Sequence, residues 1–406
     1  MQRAILATTA LTAALLTARF GITNADDNQQ PADPQSPHTI DAGKFDSLQA
    51  AIDALPAAGG VVRIPPGTYE INQPLRITGE DILIQGAGSA THIRNVNTGG
   101  ASTIELLPTG VTDRANPGQR TNRNRWRIQL ADLRITGNEQ CGHGIDALWV
   151  NEIFLHGVTV SEHGGDGIRL DHCYEDPRIN DCLVTYNKGV GVNLLGCHDI
   201  VVSASHFEEN GDALHCIDGF NLCMTGNNLD DHLARGVVIE NTYGSVVSGN
   251  MIEECQGTAV VLDRDCYGIT LSANVIAHNG GGIELLDAHG CAVSANTFTI
   301  IAEKALYIGP GSGRITVTGN NFSNSYIGDG QVKRGTDDMA AAGVTLEGTS
   351  DVAISGNVFS GLTADALILP DPPSSRIVLT GNLFTDVAAD LESFEDSVVA
   401  DNLTAQ

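Results

Sequence analysis

Cations are scarce in this 406-residue chain: 22 Lys and Arg stand against 49 Asp and Glu, a net charge of −27. A surface this acidic repels phosphate backbones and anionic headgroups, which excludes nucleic acid and an anionic membrane as general partners. It disfavours an anionic polysaccharide as well, unless bound cations or a local basic patch intervene. Aromatics are few, at 5%, while 46 glycines suit a chain of many tight turns. The one long apolar run, Ala/Leu/Thr-rich to Ala18, is interrupted by Arg19 and is too short to anchor as a transmembrane span. Nine cysteines are an odd number, so not all can pair internally, and none has metal-type spacing. No nucleotide-binding glycine loop stands out.

What is present begins with a leader. Arg3, the apolar run and Thr23-Asn24-Ala25 read as a secretory signal over 1–25, hence a secreted or periplasmic protein with no membrane anchor. The polar, Pro-rich segment 26–40 reads as a linker. Beyond it, Asn250, Asn274, Asn296, Asn320, Asn357 and Asn382 each follow Ser/Thr–Gly/Ala, and the register continues backwards through Asn227, Ser205, Cys182 and Gly157. The period is about 23 residues, with a single step of 37. A fixed period of this length marks a solenoid, in which each unit buries its apolar side only by stacking on its neighbours. Cys173 and Cys197 fall at equivalent positions of adjacent coils, so they either form a disulfide or act as small buried hydrophobes.

Phe45, Leu48, Ala51, Ile52 and Leu55 form a helical stripe ended by Pro56, as expected of a cap over the open end of a solenoid. Strand-like pieces follow at 61–64, 68–71, 75–77 and 82–84. The helix, then Gly-Gly-Val-Val-Arg-Ile-Pro-Pro-Gly-Thr-Tyr (59–69), then Gly86-Ala87-Gly88 and the Asn-marked coils resemble the right-handed parallel β-helix proteins of the pectate-lyase-like superfamily. The resemblance covers about 45–390. It implies an all-β, single-stranded right-handed parallel β-helix of about ten or more coils over 41–390, with an N-terminal capping helix and a C-terminal cap or tail over 391–406. It implies that stacked Asn amides hold one turn, and that polysaccharides or oligosaccharides are the partners. Two segments break the period: 95–127, with Arg114, Arg120, Arg123, Arg125 and Arg127, and 324–342, with Lys333 and Arg334.

Aligning the run after each turn maps a surface. Gly144-Ile-Asp-Ala-Leu-Trp, Gly167-Ile-Arg-Leu-Asp-His and their successors are apolar at positions two and four, which must face inward. The third, outward column reads Asp146, Arg169, Asn193, His215, Val238, Val261, Glu284 and Tyr307. The fifth reads Leu148, Asp171, Leu195, Ile217, Glu240, Asp263 and Leu286. The sixth enters the turn as Trp149, His172, Gly196, Asp218, Asn241, Arg264 and Asp287. In the resembled proteins this sheet carries the groove.

Two clusters emerge. Arg169, Asp171 and His172 lead into Tyr174, Asp176 and Arg178, with His163 and Asp166 on the preceding turn. Glu240 is expected directly beside Asp263, with Asp218, Asn241, His215 and Arg264 around them. In a β-elimination on a uronate, Arg169 and Arg264 would neutralise the carboxylate and His172 or His215 would take the C5 proton. Asp171, Tyr174, Arg178, Asn193 and Asn241 would contact substrate, and Asp218, Glu240 and Asp263 would hold Ca²⁺. The expected protein is therefore a polysaccharide lyase or related enzyme on a uronate-containing glycan. A glycan-binding or surface protein without catalysis stays open, as does a hydrolase or fructotransferase, for which Glu240 and Asp263 at about 4.8 Å suit a retaining pair. The paired Asp-Asp and Arg-Ile-Lys of polygalacturonases and the Trp-Ile-Asp-His of one pectate lyase family are missing. Asp176-Pro177 continues as Arg178-Ile179 where alginate epimerases have His-Asp.

Overall fold

Alternation of period two, repeated at every coil, dictates a stack of short parallel strands, and a computed structural model has that form. It describes residues 38–111, 123–323, 342–362, 364–394 and 396–405. The leader, most of the linker, and Arg114, Arg120, Lys333 and Arg334 lie outside the described residues. Twelve strands stack in one parallel sheet, from Leu75–Ile77 through Ile145–Leu148, Ile168–Asp171, Val192–Leu195, Leu214–Ile217, Val237–Glu240 and Thr258–Asp263 to Leu367–Ile368. Twenty-nine others pair coil on coil in a second parallel system, and Arg125–Trp126 pairs with Val150–Asn151 by itself.

The register of the twelve-stranded sheet matches the sequence map residue for residue. Asp146 pairs with Arg169, Arg169 with Asn193, Asn193 with His215, and Glu240 with Asp263. The inward positions, Ile168 and Leu170, Val192 and Leu194, Val237 and Ile239, are fully buried. Each such side chain contributes about 1.5–3 kcal/mol on burial. Further along, Phe298, Phe322, Phe359 and Phe384 stack at 4.7, 4.8 and 4.9 Å between centroids.

The Asn ladder is continuous. Asn227, Asn250, Asn274, Asn296, Asn320 and Asn357 each donate Nδ2–H to the Oδ1 of the next rung at 3.0 Å. Ser205 and Cys182 carry it backwards, the Cys182 N–H donating to Ser205 Oγ and the Ser205 N–H to Asn227 Oδ1. It also runs past Asn382 to Asn402, and Val398–Ala400 and Leu403–Ala405 pair with the preceding coil. The segment 391–406, expected as a cap or tail, thus carries two further strands of the stack.

One other expectation changes, and the cysteines follow the second of the two alternatives left open for them. The helix is shorter than the stripe: Leu48–Asp53, capped by the Ser47 side chain accepting from the Ala50 N–H, buries Leu48, Ala51 and Ile52. Phe45 instead ends a short 3-10 turn, Ala42–Lys44, and is 38% exposed. All nine cysteines are free thiols, eight of them buried and Cys223 exposed. Cys173 and Cys197 direct Sγ to carbonyl oxygens, Cys173 to Ala147 and Asp171, Cys197 to Leu170 and Leu195. Among the described residues no helix is long and apolar enough to cross a membrane.

Candidate functional site

The sheet's last outward position and the corner that follows carry the first cluster. Asp171 Oδ1 lies 2.6 Å from His172 Nδ1, and the Arg169 guanidinium donates to Asp171 Oδ2 at 3.3 Å. Asp171 is buried, while the His172 side chain is 44% exposed. The pairing places the Nδ1 proton toward the carboxylate and leaves Nε2 as the acceptor. His172 sits at φ 51°, in the left-handed region that recurs at this corner at Trp149, Gly196, Asp218, Asn241 and Arg264. Its ring lies across Gly196, where an added Cβ would stand 3.2 Å from Nε2. Gly196 thus supplies both the positive φ and the room for the imidazole. Tyr174 meets the His172 ring edge-on at 6.2 Å.

Around this centre several expectations are rearranged. Arg178 points away from the cluster, its guanidinium 4.7 Å from the Phe154 ring centre on the adjoining sheet. Asn193, between Arg169 and His215 in the third column, donates to Asp166 at 3.0 Å. Asp166 also accepts from the Val190 N–H, and its own N–H donates to His143 Nδ1. His163 is structural: it is wholly buried, with Nε2 at 2.9 Å from Thr103 Oγ1 and Nδ1 at 3.1 Å from Asn187 Oδ1. Burial outweighs the Asn187 hydrogen bond and brings its pKa down to about 4. It is a rung of a second ladder that continues through Asn187, Asn210 and His232.

The second cluster is held by one cation, Arg264. Arg264 spans Glu240 at 2.7 Å and Asp218 at 3.5 Å, and Asn241 donates to Asp218 at 2.8 Å. Asp263 accepts the Arg264 N–H. The calcium set expected from Asp218, Glu240 and Asp263 does not fit this geometry, because a guanidinium stands where the cation would. Among the described residues, three carboxylates converge within 4.8 Å only at Asp230, Asp231 and Glu254, on another side of the coil. Nor does His215 join Glu240. Its Nε2 bonds Asp212 at 2.6 Å, and Asp212 also takes the Arg235 N–H and guanidinium at 2.6 and 3.1 Å. Burial raises the Asp212 pKa, but these hydrogen bonds outweigh it and set the carboxyl at about 2.

One model of protein families matches three overlapping stretches, 82–221, 150–322 and 265–403, described as right handed beta helix region. The chain belongs to the right-handed parallel β-helix family. No curated protein matches it. Among solved structures, the A-module of mannuronan C-5 epimerase AlgE6 of Azotobacter vinelandii aligns with a TM-score of 0.65 at 18% identity, over 86% of this chain and 99% of that one. The A-module of AlgE4 from the same organism gives 0.63 at 18% identity, over 83% and 99%. The catalytic unit of the GH87 alpha-1,3-glucanase of Streptomyces thermodiastaticus gives 0.56 at 15% identity, over 91% and 69%. At these identities the likeness is one of fold.

Proposed function

We propose that this is an exported carbohydrate-active β-helix protein, and that Arg169, Asp171 and His172 act on a uronate unit of a glycan by removing its C5 proton. The observation that carries the reading is the buried Asp171 holding the exposed His172 ring at 2.6 Å with Arg169 on its other oxygen. A carboxylate so placed fixes the tautomer and stabilises the imidazolium once the proton is taken. The Arg169 guanidinium, on the adjacent outward position of the same strand, neutralises the carboxylate beside the reacting carbon and so favours the C5 carbanion. Loss of the C4 oxygen, with the proton returned to it by the imidazolium, completes a β-elimination.

Epimerisation is the second reading. It shares the C5 deprotonation, and two of the structurally similar proteins are mannuronan C-5 epimerases. A net charge of −27 sets the whole protein against a dense polyanion. A glycan in which uronates alternate with neutral units suits the face better. Incubation with a panel of uronate-containing glycans tests both reactions: unsaturated-product absorbance reads elimination, and NMR of the C5 configuration reads epimerisation. Activity that survives Arg169→Ala and His172→Ala alike, or its absence on every glycan, refutes the assignment.

A further inference from the structure

Two residues past each corner of the twelve-stranded sheet, and three past Arg264, a column of rings runs along the solenoid. Tyr174, His198, Phe220, Tyr243, Tyr267 and His289 occupy successive coils, with His198 paired to Phe220, Phe220 to Tyr243, Tyr243 to Tyr267 and Tyr267 to His289. Ring centres are 4.2 Å apart for Tyr174 and His198, 4.6 Å for His198 and Phe220, and 5.5 Å for Phe220 and Tyr243, the last pair nearly parallel at 22°. In a chain with 5% aromatics, this concentration on one line is a property of the surface and not of the composition. Phe220 and Tyr267 are 40% and 50% exposed. The Tyr267 ring lies against Gly290, where an added Cβ would stand 3.2 Å from it, so one face rests on the next coil.

Polar rows flank the rings. On one side are Asp218 and Asn241, bonded to each other at 2.8 Å; on the other are Asp199 and Asn221, also at 2.8 Å; Asp265 takes the Tyr243 hydroxyl at 3.2 Å. The rows offer carboxylate and amide oxygens, acceptors suited to hydroxyl donors. Their cation, Arg264, is already committed to Glu240 and Asp218.

We infer that this column is a binding track for a run of uncharged sugar units, lying parallel to the solenoid axis and continuous with the His172 centre through Tyr174. Coils repeat about every 4.8 Å, close to the advance of an extended 1,4-linked chain per pyranose, so units and coils advance nearly in step past the exposed Phe220 and Tyr267. The apolar face of a pyranose packs on a ring while its equatorial hydroxyls reach the flanking acceptors. The same carboxylates repel a uronate, which confines charged units to the Arg169 end. The inference extends the proposed function but does not need its chemistry.

Affinity electrophoresis tests it with soluble β-1,4-glucan, β-1,3-glucan, galactomannan, polygalacturonate and alginate, using the full chain carrying His172→Ala so that turnover cannot deplete the ligand. At least one neutral glycan is expected to retard the protein. Adding Phe220→Ala and Tyr267→Ala together should weaken that retardation about tenfold or more. Tyr186→Ala, which removes an exposed tyrosine on another face, should leave it unchanged. Retardation by polyuronates alone, by no glycan, or equally by the double ring variant overturns the inference. Binding to a neutral glycan without any reaction of the unsubstituted protein on uronates leaves the track standing and removes the proposed reaction.

Discussion

Two histidines locked inside the stack should make the fold acid-sensitive well above the carboxylate range. His163 and His232 are both fully buried, and burial lowers each pKa from 6.5 to about 4. Between those values the unfolded chain binds protons that the folded chain refuses, so stability is complete above pH 6.5 and falls as pH drops toward 4. A difference of 2.5 pH units corresponds to about 3 kcal/mol per histidine, or about 7 kcal/mol for the pair. With an unfolding entropy near 0.8 kcal/mol per degree for a chain of this length, that is a fall of about 8–9 °C in apparent Tm. Asp212, at about 2, takes no part in this window, because its contribution is lost only below the unfolded value of 3.8. Asp230 and Asp231 are raised by burial and by neighbouring carboxylates, and they work weakly the other way. The comparison that isolates the histidines is His163→Asn with His232→Asn. Asparagine already fills the intervening rungs, at Asn187 and Asn210, bonded to each other at 2.8 Å. The double variant should begin less stable at pH 7.5, since it loses ring packing, but its Tm by circular dichroism should fall much less between pH 6.5 and 4. An equally steep fall in the variant would refute the reasoning. Of the two, His232 should contribute the weaker anchor: its Nδ1 accepts the Asn210 N–H at 3.3 Å while its Nε2 is buried without a partner.

Other consequences follow from the same structure. Asn274→Ala would orphan the Asn250 N–H and one Nδ2–H of Asn250, both buried. At about 1–3 kcal/mol for each orphaned donor, denaturant melts should show a loss of about 2–6 kcal/mol, against about 1 kcal/mol for Asn402→Ala on the last rung. Ellman's reagent should count one fast thiol in the native protein, Cys223, and nine in denaturant; two fewer in denaturant would mean a disulfide. Gly196→Ala places a strained side chain against the His172 ring. Activity should fall at least tenfold while Tm moves by only a few degrees, and an unchanged kcat would remove His172 from the reaction.

How much of this could be read in advance divides along physical lines. The facing of every strand follows from alternation, so the sequence alone puts Asp146, Arg169, Asn193 and His215 in one column. The ladder was equally legible, because a buried amide with four hydrogen-bonding sites admits few substitutes. Partner choice was not. His215 bonds Asp212, three residues back across a corner, and Arg264 bridges two coils to Asp218, because long side chains at corners reach further than a column diagram allows. His163, which the sequence places on the turn before the first cluster, is a buried rung because its ring nitrogens face Thr103 and Asn187. The ring column is not legible from strand alternation, because it lies beyond the corner, with an inward residue such as Cys173 or Cys197 between.

The stacked phenylalanines carry a mechanical implication. Phe322 and Phe359 touch at 4.8 Å although 37 residues separate them, so the extra chain is spliced in without disturbing the pitch. Pulled from its two ends, such a rod should shed one coil at a time and not yield all at once. Each ordinary coil would pay out roughly 75 Å of slack and the spliced one roughly 120 Å. The trace of force against extension would then be a ruler with one long division, whose position counts the coils from either end.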